Sequence, residues 1–494
     1  MLFFKNSTLN SYLINQLKVL NISKDGEKFL FFKKFSRKYK NEGDYNHNYF
    51  LADLLFIFSP YYRFTPEQVL EKWKEYTEDS DFLSMYVHIP FCIQRCEYCV
   101  YRSNKVESRE CVERYVENLL EEIDFFGKNL DRRFNTLYFG GGTPSILSAE
   151  NIDRLLSRIR KYFSFEEKGM RNFEMNPVTC TEEKLDVIEK HGINRISFGV
   201  QSTSREVLEK ANRGYQDLDI VKKSFEMADK RSFSIINMDL ILGLQNSDKE
   251  KFINSFEDLI ELEPSSICVY PLQPNQDLLN KRGMTEEEFF EKIGKRIEEV
   301  KEPLRIIAEE KGYNVPSTPN PRGANSWMFE RKKMDEVFDY NYYFQSDMID
   351  GCLGFGVFQE SYISSVLSYN REVENPNFRL GTKIYGGTLQ NERDHMRKFI
   401  LDEFEDGNTL SLRAFKEKFG YGVEEKFEDA IKSLKEIGVL YQKDYELILD
   451  LDSPLDTFAA CYFFFDEAQI KHQIREEAEK NGWDRILEEL NYLI

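Results

Sequence analysis

No stretch of this sequence reaches the run of about 18 apolar residues that a membrane span requires. The first residues, Met1-Leu2-Phe3-Phe4-Lys5-Asn6, lack the charged-then-apolar pattern of a secretory leader, so a cytoplasmic protein is expected. An excess of positive charge is lacking too. Lys and Arg number 67 against 86 Asp and Glu, a formal net charge of −19. That balance excludes a broad nucleic-acid-binding face, which must neutralise phosphates, but not a local basic pocket. Cysteine is scarce, eight in 494 residues, which excludes a disulfide scaffold. Low-complexity tracts and long-period repeats are absent.

What is there is a short unit used repeatedly. Between Met85 and about Leu272 six apolar runs (85–91, 135–140, 171–176, 195–200, 235–244 and 265–272) each lead into a turn. Amphipathic helices are predicted over 111–126, 150–162, 182–190, 218–230 and 250–262. In the first of these, Val112, Tyr115, Val116, Leu119 and Ile123 recur at three- or four-residue spacing and make one apolar face. Strands alternating with such helices pair in parallel through right-handed crossovers. Six units fall short of the eight that close a barrel, so the expected fold is α/β, a partial (β/α)6 barrel over residues 81–320. In such folds the reactive groups sit on the loops at the carboxyl ends of the strands. Around the barrel lie an N-terminal extension (1–80) with an aromatic segment at 54–62, and a charged helix at 284–311. A bridge over 321–390 holds possible strands at 340–344 and 352–358, and a small helical C-terminal domain over 391–494 carries a β-hairpin near 439–450.

Three of the eight cysteines fall within eight residues, as Cys92-Ile-Gln-Arg-Cys96-Glu-Tyr-Cys99, directly after the first strand. Soft thiolates suit an iron–sulfur cluster. Three protein ligands leave one iron open, and an open iron can chelate the amino and carboxylate groups of S-adenosylmethionine (SAM). The alternatives are structural zinc with His88 or Cys111 as fourth ligand, a redox dithiol, or plain buried thiols. Zinc more often uses paired knuckles with a clear fourth ligand. Cys111, Cys180, Cys268, Cys352 and Cys461 stand singly and are expected to be structural.

The run Gly140-Gly141-Gly142-Thr143 follows the second strand. It lets backbone approach a ligand closely, although a tight turn alone explains a glycine run as well. Glu174 ends the third strand, Gln201 ends the fourth, and Asp239 lies in the fifth. A carboxylate in an apolar strand is costly unless it meets a cation or a donor. The partner is either a ligand's ammonium and hydroxyls or an ion pair with Arg195 or Arg213. Arg213 can also take a ligand carboxylate with two nitrogens.

Taken with their spacing, these segments resemble the HemN-like radical SAM family, named after the oxygen-independent coproporphyrinogen III oxidase. The resemblance covers 85–272 well and continues more weakly through the C-terminal domain. It implies a [4Fe–4S] cluster on Cys92, Cys96 and Cys99, and reductive cleavage of SAM to a 5′-deoxyadenosyl radical. It implies SAM contacts from Tyr86, Gly141, Gly142, Thr143, Glu174, Gln201, Arg213 and Asp239, with Tyr98 expected against the adenine or the cluster. A flavodoxin or ferredoxin as electron donor is implied by the resemblance alone.

Three departures shape the expected reaction. Tyr101 stands where the oxidases carry a fourth cysteine. The stretch 338–345 holds no histidine where the haem chaperones carry a haem-binding motif. Phe358-Gln359-Glu360 replaces a small-residue turn that helps form a second SAM site in the oxidase. The expectation is therefore C-methylation or cyclopropanation with two SAM molecules, on an aromatic or tetrapyrrole-like substrate, by a monomer. Oxidative decarboxylation like that of the oxidases and non-enzymatic haem handling are the alternatives.

Overall fold

The computed structural model describes residues 24–42, 61–101, 103–316, 326–331, 350–357, 361–364, 366–371, 384–451 and 454–493. Within it the chain divides into two compact units, one spanning residues 61–389 and the other joining the N-terminal residues to those from 390 onward.

In the first unit the described residues form one mixed sheet of twelve strands. They are β1 (Tyr61–Phe64), β2 (Leu83–Ile89), β3 (Thr136–Gly141), β4 (Arg171–Met175), β5 (Arg195–Gln201), β6 (Ile235–Leu242), β7 (Ser266–Pro271), β8 (Trp327–Glu330), β9 (Gly351–Phe355), β10 (Ser361–Ile363), β11 (Leu367–Arg371) and β12 (Tyr385–Leu389). The spatial order is β1-β12-β11-β10-β9-β2-β3-β4-β5-β6-β7-β8. The six predicted strands are β2 to β7, all paired in parallel. The strand expected near 352–358 is β9, which lies parallel beside β2 as a seventh. Antiparallel strands finish both sides. The possible strand at 340–344, the aromatic residues 54–60, the stretch 338–345 and the turn 358–360 lie outside the described residues.

The crossover helices begin where a capping side chain meets an apolar period. Ser108, Ser148, Thr181, Asp217 and Asp248 each accept a hydrogen bond from a backbone amide in the first turn of the helix that follows. Those helices are Arg109–Asn129, Ala149–Tyr162, Glu182–Lys190, Leu218–Asp229 and Lys249–Ile260. The charged segment forms a helix over Glu286–Glu310.

The strands alternate over most of their length. Val87, Phe139, Phe173, Phe198, Leu240 and Val269 are fully buried in the core cluster that includes the helices' apolar faces. Their neighbours, pointing the other way, include Tyr86, His88, Tyr138, Asn172, Glu174, Ser197, Asp239 and Tyr270. Register sets Tyr86, Tyr138, Asn172 and Arg195 side by side, and Glu174 beside Ser197, Asn237 and Ser266. The partial barrel therefore has a greasy outer face and a polar inner one. Glu122, on helix Arg109–Asn129, ties the barrel to its antiparallel extension. It accepts hydrogen bonds from Tyr385 (2.6 Å) and the Gly356 amide (3.0 Å) and pairs with Arg371 at 3.1 Å, all buried.

In the second unit, helix Lys24–Glu42 shares a core with the C-terminal helices, Phe32 stacking on Tyr462 with centroids 4.7 Å apart. The predicted hairpin is Leu440–Lys443 with Glu446–Leu449, joined by Thr409–Ser411. Buried Arg397 is held by Asp394 (2.6 Å), Asp466 (2.9 Å) and the Phe464 carbonyl (2.8 Å). Among the described residues no helix is long and apolar enough to cross a membrane.

Candidate functional site

The cysteine loop leaves the carboxyl end of β2. Cys92 is pinned through its carbonyl, which accepts from Val106 N at 3.0 Å, and a turn brings Cys99 N to the Cys96 carbonyl at 3.3 Å. All three thiols are half-buried and free. Burial raises the pKa of Cys92 and of Cys99, the latter to about 11, so the loop holds thiols that a bound metal would have to convert to thiolates. Two neighbours already point donors at sulfur: Thr143 Oγ1 lies 3.5 Å from Cys92 Sγ and Arg213 Nη1 lies 3.7 Å from Cys96 Sγ.

The glycine run sits against this loop. A Cβ on Gly142 would stand 2.7 Å from the Phe91 carbonyl oxygen and 3.0 Å from Cys92 Sγ. Gly141 has φ +110°, and a Cβ there would meet the His88 ring at 2.8 Å. Both positions therefore demand glycine, one for space and one for space and conformation.

Along the inner face, Tyr138 donates to Glu174 at 2.6 Å and Asn237 donates to Asp239 at 2.7 Å. Burial pushes Glu174 up to about 7 and Asp239 up to about 6, and the Arg195 charge lowers both without offsetting it. Arg195 itself donates to Asn172 and Ser197, each at 2.6 Å. Arg213 turns instead to Cys96, the Gly199 carbonyl (2.6 Å) and Gln216 (2.8 Å). Gln201 is held at φ 71°, and its buried Oε1 has no hydrogen-bond partner, as is true of Arg213 Nε. Unpaired buried polar atoms are rare in folded proteins, and Arg213 Nε belongs to a side chain that reaches Cys96 Sγ, which leaves a donor free beside the cysteine loop.

Tyr86 stacks on Tyr138 with centroids 5.9 Å apart and reaches His88 Nδ1 at 3.2 Å. The Tyr98 phenol lies against Arg213 and Cys96, and burial raises its pKa well above the ordinary tyrosine value. Tyr101, the position where the oxidases carry a further cysteine, is largely exposed, and partial desolvation, then Glu174 and Cys99, raises its pKa. The structure thus groups Cys92, Gly142 and Thr143; Cys96, Tyr98 and Arg213; and Tyr86, Glu174 and Tyr101. Sequence reasoning missed Tyr138, Asn172 and Asn237, and named Arg195 only as an ion-pair partner for the carboxylates. Their signal was the polar-apolar alternation inside runs read simply as apolar.

Among the described residues no three His, Cys, Asp or Glu side chains come close enough to hold a single metal ion. The zinc alternative therefore has no preformed site here. An iron–sulfur cluster is wider than one ion and is met by thiolates set further apart. The glycine cradle, the donors aimed at sulfur and the unpaired Arg213 Nε fit that group with a nucleotide beside it.

Residues 86–259 match the family model described as the Radical SAM superfamily, the class that this barrel and its cysteine loop define. Its cofactors are a [4Fe–4S] cluster and SAM. The chain is 34% identical over 200 residues to the heme chaperone HemW of Haemophilus influenzae, covering 39% of this chain and 52% of that protein. It is 29% identical over 212 residues to the oxygen-independent coproporphyrinogen III oxidase of Paracoccus denitrificans, covering 42% and 47%. The chain thus spans about half the length of these curated relatives. The fold resembles the solved Escherichia coli coproporphyrinogen III oxidase HemN with a TM-score of 0.62 at 21% identity, over 81% of this chain and 93% of that one. Residues 86–259 are thus similar to the radical SAM superfamily, and the fold as a whole is similar to that of HemN.

Proposed function

We propose that this chain is a HemN-like radical SAM oxidoreductase that acts on a tetrapyrrole-like substrate, with Cys92, Cys96 and Cys99 as its cluster ligands. The observation that carries the reading is the joining of three loop thiols to a glycine cradle in which a single added Cβ would strike both the loop backbone and Cys92 Sγ. When bound, the cluster and SAM supply a carbon-centred radical by one-electron cleavage of the sulfonium.

The chain's own residues do the rest. Gly141 and Gly142 clear space for the amino-acid end of SAM, and Thr143 and Arg213 steady Cys92 and Cys96. Gln201 offers its unpaired oxygen to a donor. Glu174 and Asp239, with pKa values raised to about 7 and about 6, receive a cation or hydroxyls and ionise fully once one is present. Tyr86 stands on the inner face beside Tyr138, and Tyr98 and Tyr101 belong to the cysteine loop.

The expectation of C-methylation or cyclopropanation draws no support from the relatives, whose names are those of an oxidase and a haem chaperone. The substrate reading therefore turns to oxidative chemistry on a tetrapyrrole. The HemW likeness favours a second reading, non-enzymatic haem handling. Anaerobic reconstitution followed by dithionite and SAM separates the two. The proposal expects 5′-deoxyadenosine to accumulate and to increase when a porphyrinogen is added. Stoichiometric haem binding without SAM cleavage would leave the chaperone reading standing in its place.

A further inference from the structure

Beyond the cofactor site, a cleft opens where three neighbouring parallel strands end. Helix Arg205–Lys210 follows β5, the loop 243–248 leaves β6, and helix Gln276–Arg282 follows β7. Between these and the start of helix Glu286–Glu310 the cleft holds about 630 Å³, within the range of small-molecule sites. None of the residues assigned above to the cluster or to SAM lines it. The carboxyl ends of parallel strands are where such folds take their ligands.

The charges of this cleft are lopsided. The two acids of its lining, Glu206 and Asp248, are both engaged by Lys251, at 2.8 and 3.6 Å, and Arg296 is engaged by Glu299 at 2.8 Å. Lys281, Arg282 and Lys292 also line it and have no ion pair among the described residues. The two lysines are exposed and Arg282 is half-buried. Arg282 Nη1 donates to the Gly243 carbonyl at 3.3 Å, and the guanidinium lies 5.9 Å from the centre of the Phe289 ring. Its Nε is buried without a partner. Burial lowers its pKa, and Glu97, the acid that opposes this, forms no ion pair with it. A guanidinium that gives up hydration with no carboxylate in return carries a cost that a bound anion offsets.

The class of anion follows from the rest of the molecule. A chain of net charge −19 repels an extended polyanion, so the ligand has to be small enough to enter the cleft. Guanidinium meets carboxylate and phosphate oxygens with two nitrogens, and flanking ammonium groups suit a second charge. We propose that this cleft binds a small, multiply charged oxyanion, a carboxylate- or phosphate-bearing metabolite, on Arg282 with Lys281 and Lys292 around it. The site stands on the fold and its charges and goes beyond the radical SAM reading.

The test is calorimetric titration of the full chain, with no iron or SAM added, using pyrophosphate and citrate as probes. In about 0.15 M salt diffuse attraction is screened beyond about 8 Å, so a saturable one-to-one isotherm reports a site. At least one probe is expected to bind in this way, and the stronger of the two tells phosphate from carboxylate preference. Lys281→Gln/Lys292→Gln leaves Arg282 and its contacts in place and should weaken that binding about tenfold or more. Arg282→Gln should abolish it; if that chain does not fold, the lysine pair decides. Lys222→Gln/Lys223→Gln removes the same charge from two exposed positions on helix Leu218–Asp229 and should leave binding unchanged. No saturable binding of either probe, or equal weakening by the two lysine pairs, overturns the proposal. Because the titration needs neither iron nor SAM, its failure leaves the radical SAM reading standing, and failure of that reading leaves this site.

Discussion

Replacing Gly142 with alanine tests the site with one methyl group. The backbone there is not in the left-handed region, so the added Cβ meets a problem of space alone. Its nearest neighbours would be the Phe91 carbonyl oxygen at 2.7 Å and Cys92 Sγ at 3.0 Å. Favourable contact between heavy atoms begins near about 3.5 Å, so the loop must withdraw by roughly half an ångström or more. The Phe91 oxygen is main chain and cannot rotate away, and Cys92 is the next residue, so the withdrawal moves a cluster ligand. Overpacking of this kind costs about 1–3 kcal/mol, which is about a 5- to 140-fold loss in the population of the ligating loop at 1.4 kcal/mol per tenfold. The barrel core lies on the other face of the sheet and stays intact. Calorimetric titration of the reconstituted variant with SAM should show affinity reduced by that factor, with iron and sulfide per chain also lowered and far-UV circular dichroism unchanged. Wild-type affinity together with a full complement of iron and sulfide would refute the placement of the cradle against Cys92.

Cys96→Ala should abolish cluster assembly and leave the barrel folded; SAM cleavage by that variant, read as 5′-deoxyadenosine, would remove Cys96 from the ligand set. Glu174 and Asp239 bind protons more tightly folded than unfolded, since their pKa values rise from 4.5 and 3.8 to about 7 and about 6. Their stabilisation of the ligand-free chain is complete below the unfolded values and is lost as pH rises through about 6 and about 7. A bound cation favours the ionised forms, so SAM affinity should climb between pH 5.5 and 7.5, and Tyr138→Phe, which deletes the 2.6 Å bond to Glu174, should move that rise to higher pH. A flat profile would mean the two carboxylates do not face the ligand. Glu122→Gln strips the buried charge opposite Arg371 and should destabilise the unit by about 3–5 kcal/mol in urea denaturation. Adding Arg371→Met should restore part of the loss, and no restoration would show the pair to be uncoupled.

The sequence by itself determined the barrel strands, the crossover helices and the three-thiol loop, because each rests on short-range chemistry. Period-2 and period-3.6 patterns, capping residues and the CxxxCxxC spacing are all visible within twenty residues. It also located Glu174 and Asp239, since a carboxylate in a strand is conspicuous. Only the tertiary structure decided which of these groups meet. Tyr138 and Glu174 lie 36 residues apart and join because β3 and β4 pair in one register; a slip by one residue would turn either to the outer face. Arg213 reaches Cys96 across 117 residues, and β9 arrives beside β2 from the far end of the unit.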